Sequence, residues 1–105
     1  EVYEPVKTYY PRHELNYNDM YLRTLAREAL EAVDTNYRGA LRHYEAALAV
    51  NPFEGDNFLG CALMNLYLDE IDKCFFYVNE GLFVDPEHDG LNRMADILNG
   101  EVSQQ

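Results

Sequence analysis

The chain should fold as an all-α protein: helix–turn–helix repeats, about five helices in all, stacked into a small α-solenoid. Two observations predict this. The first is an internal echo, in which Ala40, Tyr44, Ala47, Leu48, Val50 and Pro52 return in kind and at equal spacing as Cys74, Val78, Gly81, Leu82, Val84 and Pro86. A fixed period between about 20 and 50 residues signals stacked units, each covering the apolar face of the next. The second is that apolar residues recur three and four apart from Leu22 to Leu98, broken by short turns and without strand-like alternation.

Residues 1–18 carry Pro5 and Pro11 with Tyr3, Tyr9, Tyr10 and Tyr17. Proline discourages helix, so this segment is expected to be extended. It is too aromatic for an inert linker and should lie against the folded body or a partner. The repeat domain should occupy residues 19–99. Its first helix begins near Asn18 or Asp19, either a plausible N-cap, and buries Leu22, Leu25, Ala26, Ala29, Leu30 and Val33. Asp34-Thr35-Asn36 breaks the run. A second helix spans about Tyr37 to Val50, with Tyr37, Ala40, Leu41, Tyr44, Ala47 and Leu48 inward, and Asn51-Pro52 stops it. The third, about Gly55 to Leu68, is apolar almost all round, so both its faces should meet protein. Asp69-Glu70 marks the next turn. The fourth, about Ile71 to Val84, presents Ile71, Cys74, Phe75, Val78, Leu82 and Val84, and Asp85-Pro86 repeats the stop. A shorter fifth helix carries Leu91, Met94, Ala95, Ile97 and Leu98, with Gly100 just past its end and residues 100–105 a frayed tail. Gly39, Gly60 and Gly81 lie inside helices, where they are expected to permit close helix packing.

Composition narrows the function. The 105 residues hold 48% hydrophobic and 26% charged residues, ordinary for one folded domain. The net charge of −11 argues against nucleic acid, whose phosphates need clustered Lys and Arg. Residues 1–53 hold 8 acids and 6 bases, net −2, whereas residues 54–105 hold 11 acids and 2 bases, net −9. That asymmetry reads either as a solvated acidic surface or as a dock for a basic partner. No apolar run approaches the ~20 residues of a membrane span, and no signal peptide is evident at Glu1. Without an initiator Met, the chain is expected to be a processed protein or an excised segment. Cys61 and Cys74 fall on apolar stripes and read as reduced core thiols, which favours a cytoplasmic setting.

The repeat resembles the tetratricopeptide repeat (TPR) family, whose 34-residue units carry a small–aromatic–small–proline pattern in their second helix. Here that pattern is Tyr37, Ala40, Tyr44, Ala47 and Pro52, then Ile71, Cys74, Val78, Gly81 and Pro86; Phe58 and Ala62 hold the corresponding places on a first helix. The resemblance covers residues 19–99 as two units plus a capping helix. It implies a non-catalytic scaffold or adaptor that binds a peptide or helix of a partner protein in a groove lined by the first helix of each unit. Carried onto this sequence, the groove is Arg23, Arg27, Leu30, Leu59, Leu63, Leu66 and Tyr67, with Arg93 or Ile97 at its far end. Arginines at the rim of an apolar floor suit a peptide with buried anchors and a carboxylate. The simpler alternative is that Leu59, Leu63 and Leu66 contact the fifth helix or the Tyr-rich arm. Arg27 and Leu63 do not supply the lysine and asparagine set with which one subclass clamps chaperone tails. Acidic chaperones of bacterial secretion substrates are similar in charge and apolar groove, so a chaperone-like role is a related expectation. Because two units are fewer than the three usually needed, a second expectation is a structural module that homo-oligomerises through exposed repeat faces. A third is the non-catalytic segment of a larger enzyme.

Chemistry of its own is not expected. Asp85-Pro86-Glu87-His88-Asp89-Gly90 superficially resembles the opening of a calcium loop, but it contains proline and repeats Asn51-Pro52-Phe53-Glu54-Gly55 in register as a turn. His13, His43 and His88 lie far apart in sequence with no partner at metal-ligand spacing, so neither a metal nor another cofactor is expected. No nucleophile stands beside a base at helical spacing.

Overall fold

A computed structural model describes the backbone of residues 12–32 and 35–103, and the side chains of residues 19–32 and 35–100. Five α-helices follow one another: α1 (Arg12–Glu31), α2 (Tyr37–Val50), α3 (Gly55–Tyr67), α4 (Ile71–Val84) and α5 (Asp89–Ser103). No strand occurs among the described residues. Packing is between neighbours, α1 on α2, α2 on α3, α3 on α4 and α4 on α5; α3 additionally touches both α1 and α5.

The turns show why the chain breaks where it does. Asn36 caps α2 by accepting from Gly39 N–H at 2.9 Å. Asn51 and Asp85, 34 residues apart, end α2 and α4 in the same way, each returning its backbone N–H to the carbonyl one helical turn earlier. Between α3 and α4, Asp69 adopts φ 62°, a left-handed conformation that a short polar side chain tolerates. Glu70 N–H then reaches Asn65 O at 2.8 Å, which closes the hairpin.

Burial follows the repeat. One cluster joins Phe58, Ala62, Cys74, Val78, Leu91, Met94 and Leu98 between α3, α4 and α5. A second joins Ala26, Ala40, Tyr44, Cys61 and Met64 between α1, α2 and α3. Leu48, Leu63 and Tyr77 pack against both, so the two form one core. Leu22, Ala46, Ala47 and Val50 extend it between α1 and α2. On α3 only Asp56 and Tyr67 are exposed, as expected of a central helix. Gly60 and Gly81 sit where helices meet: an added Cβ would lie 2.2 Å from the Tyr44 ring at Gly60 and 2.7 Å from Leu91 and Phe58 at Gly81. Gly39 differs, since its close neighbour is the capping side chain of Asn36 rather than another helix.

Several expectations need correction. Residues 12–18 are helical, not extended, and α1 starts at Arg12 rather than near Asp19. Pro11 restricts the residue before it, whereas Arg12, Glu14 and Leu15 after it are good helix formers. Asp19 therefore lies within α1, is fully buried and caps nothing. Residues 1–11 and the side chain of Val33 lie outside the described residues. The fifth helix passes Gly100 to Ser103 because no described glycine adopts the positive φ that would end a helix. Ile71 and Val84 are exposed at the two ends of α4, flanking the buried stripe of Cys74, Val78 and Gly81. Ile97 likewise faces solvent.

Both cysteines are free and buried, and burial pushes their thiols upward, away from the reactive thiolate. Burial also pushes the Tyr77 hydroxyl from 10.0 up to about 12. An acid held protonated by the fold stabilises it below the unfolded pKa and loses that contribution as pH rises through the folded one. Unfolding midpoints should therefore begin to fall above about pH 9, where the unfolded thiols ionise, and fall more steeply between pH 10 and 12 as Tyr77 adds its share. Urea titrations from pH 8 to 12 check this, and Tyr77→Phe should lessen the part of the decline above pH 10, leaving that of the thiols.

Candidate functional site

The site is built on a buried polar junction of α1, α2 and α3. Asp19 on α1 and Asn57 on α3 are both fully buried, and such groups must find partners. The two hydrogens of Asn57 Nδ2 are shared among three acceptors, Asp19 Oδ2 at 2.7 Å, Asn51 O at 3.0 Å and Ala47 O at 3.2 Å. Arg23, one turn on from Asp19, reaches the same oxygen at 2.7 Å and donates to Asn57 Oδ1 at 2.7 Å. Arg23 and Asn57 are 34 residues apart in the chain, and their contact joins α1 directly to α3. Asp19 Oδ1 has no hydrogen-bond partner among the described residues.

Beside this junction opens a cleft of about 180 Å³, lined by Arg23, Arg27, Tyr44, Asp56, Leu59, Gly60 and Leu63. The absence of a side chain at Gly60 lets the Tyr44 ring lie flush against α3 and form part of the lining. Burial raises the Tyr44 hydroxyl, while the nearby guanidiniums of Arg27 and Arg23 pull it down less strongly. The hydroxyl is therefore a hydrogen-bonding group rather than an anion. Arg27 is exposed, and its Nη2 donates to Thr24 Oγ1 at 3.3 Å. Pockets for whole cofactors run from about 300 Å³, so this volume accommodates one amino-acid side chain.

Of the residues expected to form a groove, Arg23, Arg27, Leu59 and Leu63 meet in this cleft. Leu30 and Leu66 do not line it and pack against the core clusters, as Leu59 and Leu63 also do from the cleft floor. Tyr67 is exposed, its ring centroid 5.1 Å from that of Tyr37. Arg93 is exposed on α5 and pairs with Asp89 at 3.6 Å. Sequence reasoning missed Tyr44 and Asp56 as lining residues. Tyr44 reads wholly as core from its own helix, and its part in the lining depends on the gap at Gly60 on the next one.

The fold also brings together residues that the sequence left apart. His88, expected to stand alone, lies with Glu54 and Asp56, their possible ligand atoms all within 4.8 Å of one another. His88 Nε2 is 2.7 Å from Asp56 Oδ1, and Nδ1 accepts the Leu91 N–H at 3.1 Å. The tautomer that satisfies both contacts carries its proton on Nε2. A metal on Nε2 would displace that proton and the Asp56 contact. The trio is therefore a latch between the starts of α3 and α5, in which His88 caps α5 as Glu54, 34 residues earlier, caps α3.

No protein-family model matches the chain, and neither a curated protein nor a solved structure matches it.

Proposed function

We propose that this chain is a non-catalytic interaction module that receives a side chain of a partner peptide or helix in the cleft between α1, α2 and α3. The observation that carries the proposal is the meeting of Arg23, Arg27, Leu59 and Leu63, from two helices, around a cavity of side-chain size. Leu59 and Leu63 would hold an apolar anchor, and Arg27 a carboxylate beside it. Arg23 is already engaged by Asp19 and Asn57, so its part is to shape the wall and add charge. A two-unit TPR-like arrangement is the accompanying reading of the fold. It is supported by the matching ends of α2 and α4 and the matching caps of α3 and α5. A cytoplasmic, adaptor-like or chaperone-like role accords with this reading.

A peptide-display selection tests it. The parent should enrich peptides that share one bulky apolar residue near an Asp or Glu. Arg27→Glu, on an exposed side chain, should remove the acidic preference and weaken selected peptides about tenfold. Leu63→Ala, a smaller change at a side chain that also packs against the core, should weaken enrichment at least tenfold while circular dichroism reports retained helix. Equal enrichment by parent and variants would overturn the proposal.

A further inference from the structure

The outward face of α4 is a stripe that neither the fold nor the cleft uses. Cys74, Val78 and Gly81 form the buried side of this helix. Opposite them, at the spacing i, i+4, i+7, i+8 and i+11, stand Asp72, Phe76, Asn79, Glu80 and Phe83, all exposed. Phe83 is 85% and Phe76 58% exposed, and large aromatic residues at such exposure in one line are a cost to a monomer unless something covers them. Phe76 packs edge-on against the neighbouring Tyr77 ring at 5.4 Å, which restrains one end of the stripe. From Asp72 to Phe83 the line runs for about 16 Å, the length of three helical turns.

Charge decides what fits it. The two phenylalanines are framed by Asp72 and Glu80 on the helix and by Asp85 and Glu87 just beyond it; Lys73 is the one base on α4, and Glu70 holds it at 3.5 Å. The half of the chain carrying this face is net −9. Docking two copies through it would oppose like charges, and an anionic membrane surface would be repelled for the same reason. Lysine and arginine chains suit both parts of the stripe, pairing with the acids and laying their methylenes or guanidiniums on the Phe rings.

We propose that the outer face of α4 is a second interaction surface, distinct from the cleft of α1–α3, that takes a basic amphipathic helix of a partner protein. The partner's apolar residues would cover Phe76 and Phe83, and its flanking Lys or Arg would meet Asp72 and Glu80.

The test uses a fluorescent peptide long enough for about five helical turns, Leu and Lys placed at i, i+3 and i+4 spacing, followed by anisotropy with the whole chain. A scrambled peptide of identical composition serves as comparison. The amphipathic peptide should bind at least tenfold more tightly than the scrambled one. Phe76→Ser/Phe83→Ser, with charge unchanged, should remove at least that factor. Asp72→Asn/Glu80→Gln should weaken binding about threefold to tenfold and flatten its salt dependence. All these side chains are exposed, so circular dichroism should be unaltered. Equal binding of both peptides, or full binding by the Phe76/Phe83 variant, would overturn the proposal. So would sedimentation showing that the stripe buries itself in a dimer lost in that variant, or association with vesicles of phosphatidylcholine lost in the same way.

Discussion

Asn57→Ala should lower the stability of the chain by about 2–4 kcal/mol, a large part of what a domain of this size possesses. The reason is placement rather than size. The Asn57 side chain ties α1 through Asp19, α2 through the carbonyls of Ala47 and Asn51, and its own helix α3 to Arg23. Truncation removes the side-chain donor from the carbonyls of Ala47 and Asn51, of which Ala47 O keeps the Asn51 N–H, and leaves the buried Asp19 side chain held by Arg23, with a void where the amide stood. The unfolding midpoint should drop by about 8 °C or more, since 1 kcal/mol shifts such domains by roughly 4–8 °C. Asn57→Asp, nearly isosteric, should do at least as much harm, because it sets a second buried carboxylate against Asp19. Calorimetry of the three proteins decides the matter. An Asn57→Ala protein as stable as the parent would show that the junction does not join the helices energetically.

The second large effect is expected at Gly60. Glycine within a helix ordinarily costs about 1 kcal/mol relative to alanine, so open space would make Gly60→Ala stabilising. Here a Cβ would fall 2.2 Å from Tyr44 Cδ1 and 2.4 Å from Cε1. Those are ring atoms of a largely buried side chain in the second core cluster, not the yielding end of a flexible one. Gly60→Val should therefore destabilise by about 3 kcal/mol or more, and Gly60→Ala should lose its propensity advantage to the overlap. Tyr44→Leu should recover part of the loss, making the double variant less unstable than the sum of the single ones. The cleft is bound to the same contact, because Tyr44 and Gly60 both line it. A Gly60→Ala protein more stable than the parent would refute the account.

The acidic stripe and the cleft differ in how far the sequence could disclose them. Phe76 and Phe83 stand two turns apart with an acid between them, a pattern visible on any helical projection, yet their exposure depends on which side of α4 the core takes. Arg23, Arg27, Leu59 and Leu63 come to notice through a family resemblance, and the fold then gathers them at one cavity. Leu30 and Leu66 share the same helices and polarity, but they rotate toward α2 and the α4–α5 side, where packing absorbs them.

Helix periodicity and the 34-residue echo are local and one-dimensional, so the helices α2 to α4, the stops at Asn51-Pro52 and Asp85-Pro86, and the close helix packing at Gly60 and Gly81 can be read from the order of residues alone. The fates of the polar residues were settled only by the tertiary structure. Asp19 reads as a helix cap from its neighbours alone, yet it is drawn into the core because Asn57, 38 residues away, arrives with a donor. His88 reads as solitary, yet Asp56, 32 residues earlier, stands 2.7 Å from its ring. A buried charge or hydrogen-bonding group must be matched wherever its partner comes from, and that requirement leaves no period in the chain.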